Sequence, residues 1–537
     1  MRPNSFRCAL VWASVLAAAC AIVALVDAPA SAAAQSDGDR PNIVLIMVDD
    51  MGFSDIGCYG GEIDTPNVDR LAAEGLRFRQ FYNAARCCPT RASLLTGLYP
   101  HQAGIGLMTG NKGYPAYQGY LNEHCVTLGE ALKRTGYHTL MSGKWHVGAQ
   151  EAHLPSKRGF EETFVLPGGA SNYWDVPLKR NGKTWKQQAD PYWKDRQLYT
   201  TDAFSDFAAR FIDEYARKDD PYFLYLAYTA PHFPLHAWPE DIEKYDGRFD
   251  KGWDRLRREC YRRQLEMGLI DESWPLSPRH GKIKPFENVA AEKKKEMLLR
   301  MQVYAAQVDR MDQGVGKVVE ALEKSGEFDD TLLIFISDNG GNGEGGPWGW
   351  GHLGERIGRD ANFWSTYGSS WGNLSNTPFR LFKHYIQEGG ISSPMIVRWP
   401  GVVDDRGGFT DQPGHVMDLM ATFLDVAGAE YPNQRNGHDI TPLEGKSLLP
   451  VFQGEQRDGH EAIGWEHHGN RGLRMGKWKL VAAHNDPWAL YNMEEDRTEL
   501  NDLAEEHPAR LKRMKARYQQ WADRVGVRPW PLKKKDK

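Results

Sequence analysis

Continuous apolar runs that stop abruptly at polar or ionisable residues constrain this chain more than any other feature. Ile43-Val44-Leu45-Ile46-Met47-Val48 stops at Asp49-Asp50, and Leu332-Leu333-Ile334-Phe335-Ile336-Ser337 stops at Asp338-Asn339-Gly340-Gly341. Tyr222–Tyr228 is followed by Thr229-Ala230-Pro231-His232, and the shorter His138–Met141 leads into Gly143-Lys144-Trp145-His146. Runs without polar alternation are strands buried on both faces. Helical patterns separate them, such as Leu298, Met301, Ala305, Val308, Val315, Val319 and Leu322. The reading is an α/β fold with a large, mostly parallel sheet sandwiched by helices. Ligands of such sheets bind beyond the carboxyl ends of the strands, where these polar residues fall. Each fragment alone has an ordinary explanation as a loop start or turn; their coincidence at several strand ends points to a site.

Composition removes some alternatives. The 537 residues carry 66 Lys+Arg against 71 Asp+Glu, a formal charge of −5, so there is no basic excess to track a nucleic acid backbone. Arg2 and Arg7, the apolar stretch from Cys8 to Val26 and the small-residue site Ala30-Ser31-Ala32 have the layout of a signal peptide over residues 1–34. The expected location is therefore exported, periplasmic or secreted, with a single-pass anchor as the rival reading. No stable membrane span is expected later in the chain. Cys8 and Cys20 leave with the signal, and Cys58, Cys87, Cys88, Cys125 and Cys260 remain. An odd number cannot pair completely, so at least one sulfur is free, intermolecular or chemically altered.

The decisive segment is Cys87-Cys88-Pro89-Thr90-Arg91-Ala92-Ser93-Leu94-Leu95-Thr96-Gly97. It reads as a helix start, with Pro89 in the first turn and Ala92–Leu95 propagating it. Cys87 then sits at a positive helix end with Arg91 a turn further in, a setting that favours an anion. The string closely resembles the signature of the sulfatase family, Cys-x-Pro-Ser-Arg followed by Leu-Thr-Gly. In that family the cysteine is oxidised after synthesis to Cα-formylglycine. The register selects Cys87, because only Cys87 has Pro two and Arg four positions on. Thr90 departs from the family's Ser but keeps the hydroxyl. The resemblance extends from Arg40-Pro41-Asn42 to Ala489-Leu490-Tyr491-Asn492-Met493. Thr377-Pro378-Phe379-Arg380-Leu381-Phe382-Lys383 with Glu388-Gly389-Gly390 looks like bacterial arylsulfatases.

Carried over residue by residue, the resemblance implies an alkaline-phosphatase-like fold and one divalent metal held by Asp49, Asp50, Asp338 and Asn339 with the modified Cys87. Hard oxygen donors suit Ca²⁺, the first choice, or Mg²⁺. It further implies that one hydroxyl of the formylglycine hydrate attacks sulfur, with Asp338 as base. Arg91 and Lys144 would steady the hydrate, Lys383 would grip sulfate, and His232 would protonate the leaving group. His146 would take the proton that expels sulfate. The implied activity is hydrolysis of sulfate monoesters, aryl sulfates as default, after maturation by a formylglycine-generating enzyme. The alternatives are a formylglycine-dependent phosphonate or phosphate ester hydrolase and a sulfated-carbohydrate sulfatase. A two-zinc phosphatase fits less well, because Asn339 stands where those enzymes commonly carry His.

Gly368-Ser369-Ser370-Trp371-Gly372 matches a nucleophile elbow but is read as a loop with no buried strand before it. His236 is a candidate pocket residue or a structural one. Trp348, Trp350, Trp364 and Trp371 line a Gly-rich loop that is either a pocket wall or self-packed. The catalytic domain is placed at 39–450, with a charged insertion at about 239–300 packed on its own Trp253, Leu256, Tyr261, Leu265 and Met267. Residues 451–537 are read as a smaller α+β domain containing an antiparallel sheet and closing in an amphipathic helix with Leu511, Met514, Tyr518, Trp521 and Val525.

Overall fold

The computed structural model describes residues 40–354 and 356–532; the segment read as a signal peptide lies outside them. The apolar runs become strands β1 (Asn42–Val48), β3 (His138–Lys144), β5 (Tyr222–Ala227) and β6 (Thr331–Ser337). They are joined by β2 (Leu76–Tyr82), β4 (Glu162–Leu166) and β7 (Ser392–Arg398). These are the longer members of an 11-stranded sheet ordered β2-β7-β6-β1-β5-β3-β4. β1, β3, β4, β5 and β6 pair in parallel, and β7 runs antiparallel to both β2 and β6.

The helices that matter below are α1 (Cys87–Thr96), α2 (Thr200–Tyr215), α3 (Gly252–Glu266), α4 (Ala291–Ser325), α5 (Gly368–Ser375), α6 (Asp418–Val426) and α7 (Pro508–Val525). Alternate strand residues go to opposite faces. Val44, Ile46, Leu224, Leu333 and Phe335 join Phe204, Phe207, Met301, Val308 and Val315 of α2 and α4. Ile43, Leu45, Phe223, Tyr225 and Ile334 join Leu94, Leu95, Leu419 and Phe423 of α1 and α6. Both faces are covered, which is why the strand sequences carry no polar alternation.

Register then fixes the site. Val48 lies opposite Ser337, and Met47 and Gly143 both lie opposite Ala227. Val48, Ser337, Tyr228 and Lys144 therefore share one level at the carboxyl edge, and Asp49 and Asp338 lie opposite each other one residue beyond it. The cross-strand bonds continue there, from Asp338 N to Val48 O at 3.1 Å and from Tyr228 N to Met47 O at 2.8 Å.

Two expectations need correction. The charged 239–300 stretch is not self-packed: Trp253 and Leu256 of α3 are buried in the main cluster, with Tyr261, Leu265 and Met267 against it. Its last residues also belong to α4, a 35-residue helix that continues to Ser325. The Gly368–Gly372 string is not a loop but opens α5, all eight residues of which are buried. It follows no sheet strand directly, so the geometry of a nucleophile elbow is absent there. All five cysteines in the described residues are buried free thiols.

Toward the C-terminus, β8 (Ile463–His467), β9 (Asn470–Met475), β10 (Trp478–Ala482) and β11 (Ala489–Asn492) form a sequential antiparallel sheet. One face packs on Met514, Tyr518, Trp521 and Val525 of α7. The other shares a cluster with Tyr82, Ala85, Ile386 and Ile391. Between the sheets lies a dry ion network. Lys479 Nζ is 2.6 Å from Glu388 Oε1 and 2.7 Å from Glu499 Oε1, and Arg497 pairs with Glu388; all four side chains are 0% exposed. The Tyr82 hydroxyl donates to Glu388 at 3.2 Å. No helix among the described residues is long and apolar enough to cross a membrane.

Candidate active site

Cys87 is the first residue of α1 and is 1% exposed. Thr90 anchors this start, its Oγ1 accepting from Ala84 N at 2.9 Å, so the Thr at the family's Ser position retains a hydroxyl that is used. The side chain is a buried thiol; on the resemblance noted above, its sulfur stands where an oxygen of the modified residue would lie. Cys87 is favoured as thiolate by a hydrogen bond from Cys88, with burial opposing and Lys144 and His146 assisting. Burial pushes the Cys88 thiol up. Cys88 Sγ lies 3.2 Å from His146 Nε2.

Arg91 reaches inward from the next turn. It donates to Asp338 Oδ2 at 3.0 Å and to the Lys144 carbonyl at 3.0 Å, and lies 3.5 Å from Asp49 Oδ2. Lys144 Nζ pairs with Asp49 Oδ2. Burial pushes Lys144 down, but Asp49 and Cys87 hold it above the usual lysine range. Burial likewise raises Asp49, yet Lys144, His232 and Arg91 hold it well below the usual carboxylate range. Asp338 goes the other way: burial and the Asp49 charge push it well up against Arg91.

Asp50 is the hub. It accepts from Lys383 Nζ at 2.7 Å, from Asn339 Nδ2 at 2.8 Å and from Asn342 Nδ2 at 3.2 Å, while His232 Nε2 lies 3.5 Å away. Its backbone N donates to Asp338 Oδ1 at 3.2 Å. Asp50 holds φ 68° and His146 φ 57°, left-handed conformations that cost a non-glycine residue about 1–3 kcal/mol each and are kept only where surroundings enforce them. His232 Nδ1 donates to the Phe233 carbonyl at 2.6 Å, leaving Nε2 toward the carboxylates. Burial lowers the His232 pKa, with Asp50 opposing.

All ten residues singled out in the sequence therefore meet in one buried cluster at the sheet edge. The residues fit a hard divalent cation. Asp49 Oδ1 and Asn339 Oδ1 are buried oxygens without a hydrogen-bond partner, and Asp49 crowds Asp338 with like charge. Uncompensated oxygens of this kind are the donors that Ca²⁺ and Mg²⁺ take.

The sequence reading missed Asn342 and the layer formed by Arg86, Glu344 and His384. Arg86 and His384 both reach Glu344 Oε1, at 2.6 and 2.8 Å. The position of His384 directly after Lys383 was the available signal. Glu344 and His384 border a cleft of about 830 Å³ that also takes in Lys383, His468 and Arg380. His384, His467 and His468 sit close enough to suggest a metal trio. The His467 and His468 rings stack at 18° with Trp530 at 19° on His468, while the His384 ring is tilted to both histidines, by 37° and 30°.

His236 is structural. Its Nδ1 accepts from Tyr173 N at 3.4 Å and its Nε2 donates to the Phe363 carbonyl at 2.9 Å, so the neutral ring is satisfied. Burial holds its pKa down to about 4 from 6.5. Its contribution to stability is full above pH 6.5 and is lost as pH falls through 6.5 to 4, about 3 kcal/mol in total. Unfolding temperature measured across that window is expected to fall, and to fall less steeply in His236→Gln.

Comparisons with known proteins identify the family. The family model described as Sulfatase matches residues 41–429, and one described as N-sulphoglucosamine sulphohydrolase, C-terminal, matches residues 379–523. An uncharacterized sulfatase of Schizosaccharomyces pombe is 35% identical over 513 residues, covering 88% of this chain and 92% of that protein. An arylsulfatase of Klebsiella aerogenes is 32% identical, covering 81% of this chain and 97% of its own. The crystal structure of Ps i-CgsB superposes with a TM-score of 0.66 at 30% identity over 90% of this chain and 93% of that one. With its strand-end cluster and a family match over most of its length, the chain belongs to the sulfatase family, enzymes of the alkaline-phosphatase-like superfamily that hydrolyse sulfate esters.

Proposed function

We propose that the protein is an exported sulfatase acting on sulfate monoesters, aryl sulfates being the working class, through formylglycine at position 87 and one divalent metal, Ca²⁺ before Mg²⁺. The observation that carries this reading is the meeting of Cys87 at the head of α1 with Arg91, Lys144 and Lys383 and with the two partnerless oxygens of Asp49 and Asn339. A cation held by Asp49, Asp50, Asp338 and Asn339 would supply Lewis-acid polarisation and a lowered hydroxyl pKa. An aldehyde hydrate at position 87 supplies two hydroxyls on one carbon, one to attack sulfur and one to expel sulfate afterwards.

The chain's own groups do the rest. Arg91 and Lys144 neutralise charge around position 87, and Lys383 meets the sulfate oxygens, as preorganised cations in a dry site. As imidazolium, His232 carries a proton on Nε2 for the departing oxygen as its bond to sulfur breaks. His146, on the Cys88 side, receives the proton released when the second hydroxyl re-forms the aldehyde. Export rests on the N-terminal sequence alone.

Mass spectrometry of the residue-87 peptide, paired with turnover of an aryl sulfate and an aryl phosphonate, tests the reading. An aldehyde mass at position 87, sulfate release, and activity lost to a chelator and restored by Ca²⁺ are expected. A fully active enzyme with a thiol at position 87 would sink the mechanism, and phosphonate turnover far above sulfate turnover would replace the substrate class.

A further inference from the structure

Singly exposed hydrophobic side chains are ordinary on a protein surface, so position decides which of them matter. Among the described residues only four large hydrophobics are exposed, and two of them, Trp350 and Phe363, each 39% exposed, belong to the single loop between β6 and α5. Trp350 is not a loose side chain on a loose loop. Its backbone N donates to Thr366 Oγ1 at 3.1 Å, and its carbonyl accepts from Thr366 N and from the buried Arg300 guanidinium, both at 3.1 Å. A backbone pinned this firmly presents the indole at low entropic cost.

The indole stands next to the leaving-group side of the cluster. Trp350 packs edge-on against Phe233 with centroids 5.4 Å apart, and Trp364 does so at 6.4 Å. The Phe233 ring lies 4.2 Å from the His232 ring, and Lys383 Nζ lies 5.8 Å from the Phe233 centroid. Trp348 of the same loop and Trp371 of α5 pack instead against and into the main core. The four tryptophans therefore divide between structure and rim.

We propose that Trp350, backed by Phe233 and Trp364, is a specificity residue that stacks on the leaving group of the ester, which must present a ring with a flat apolar face. This rests on the reading of His232 as the group facing the departing oxygen. An aryl ring and the apolar face of a pyranose share this chemistry.

The test uses converted, metal-loaded enzyme and its Trp350→Ala and Trp350→Phe variants on 2-naphthyl sulfate, a pyranose monosulfate and an acyclic alkyl sulfate. Trp350→Ala is expected to lower kcat/KM about 3- to 10-fold on the ring substrate that fits, chiefly through KM, with less than about 2-fold change on the alkyl sulfate. Trp350→Phe is expected to recover most of the loss. Which ring substrate responds identifies the source. Equal losses on all three substrates, or no loss on either ring, would overturn the proposal. A Cys87→Ala control separates the two levels: if it keeps turnover, the underlying mechanism is wrong whatever Trp350 does.

Discussion

Replacing Cys87 with alanine is expected to lower kcat for sulfate ester hydrolysis by about 10⁴-fold or more, because a covalent nucleophile and its acid–base partners act as a unit. The fold should survive. Cys87 is a small buried residue whose removal deletes one sulfur from a helix start that Thr90 also holds, a change worth about 1 kcal/mol. Cys88 does not offer a substitute, since its sulfur faces His146 and Met108 at 3.2 and 3.7 Å. The measurement is kcat on an aryl sulfate together with unfolding temperature; activity within tenfold of the parent in a folded variant would remove Cys87 from the chemistry.

The second large effect is on stability. Glu388→Ala should cost about 3–5 kcal/mol, because it strands Lys479 and Arg497 in a dry interior with only Glu499 to balance them. The network joins β10 to the segment before β7, so the loss should appear as a lower denaturation midpoint with the site intact at low temperature. Glu388→Gln, which keeps volume and an acceptor, separates charge from packing and is expected to fall between the two. An unchanged midpoint in Glu388→Ala would show the network to be energetically neutral.

Much of the site was legible because each part is tied to a local signal. A strand buried on both faces advertises itself as an unbroken apolar run, and its end marks the sheet edge, so Asp49, Lys144, His232 and Asp338 could be placed before their pairing was known. What the sequence hides is register, and the match of Val48 with Ser337 is what brings Asp49 level with Asp338. Asn342, Glu344 and Arg86 carry no such signal, since they come from loops whose path depends on tertiary packing. The helix at Gly368 was missed because Gly, Ser and Asn are poor helix formers; burial of all eight residues imposes it. The insertion was misread for the opposite reason, its charged residues masking a stripe through Trp253 and Leu256 that belongs to the main core.

Burial of the α1 start has a consequence in time. Every residue from Cys87 to Thr96 is buried in the folded chain, so a converting enzyme has no access to the cysteine once the sheet has closed over it. On the proposed chemistry, maturation and folding are in a race over the same segment. The fraction of active protein is then set by how long this stretch stays open during synthesis and export. Two preparations with identical sequence and identical fold can thus differ in activity through their history alone.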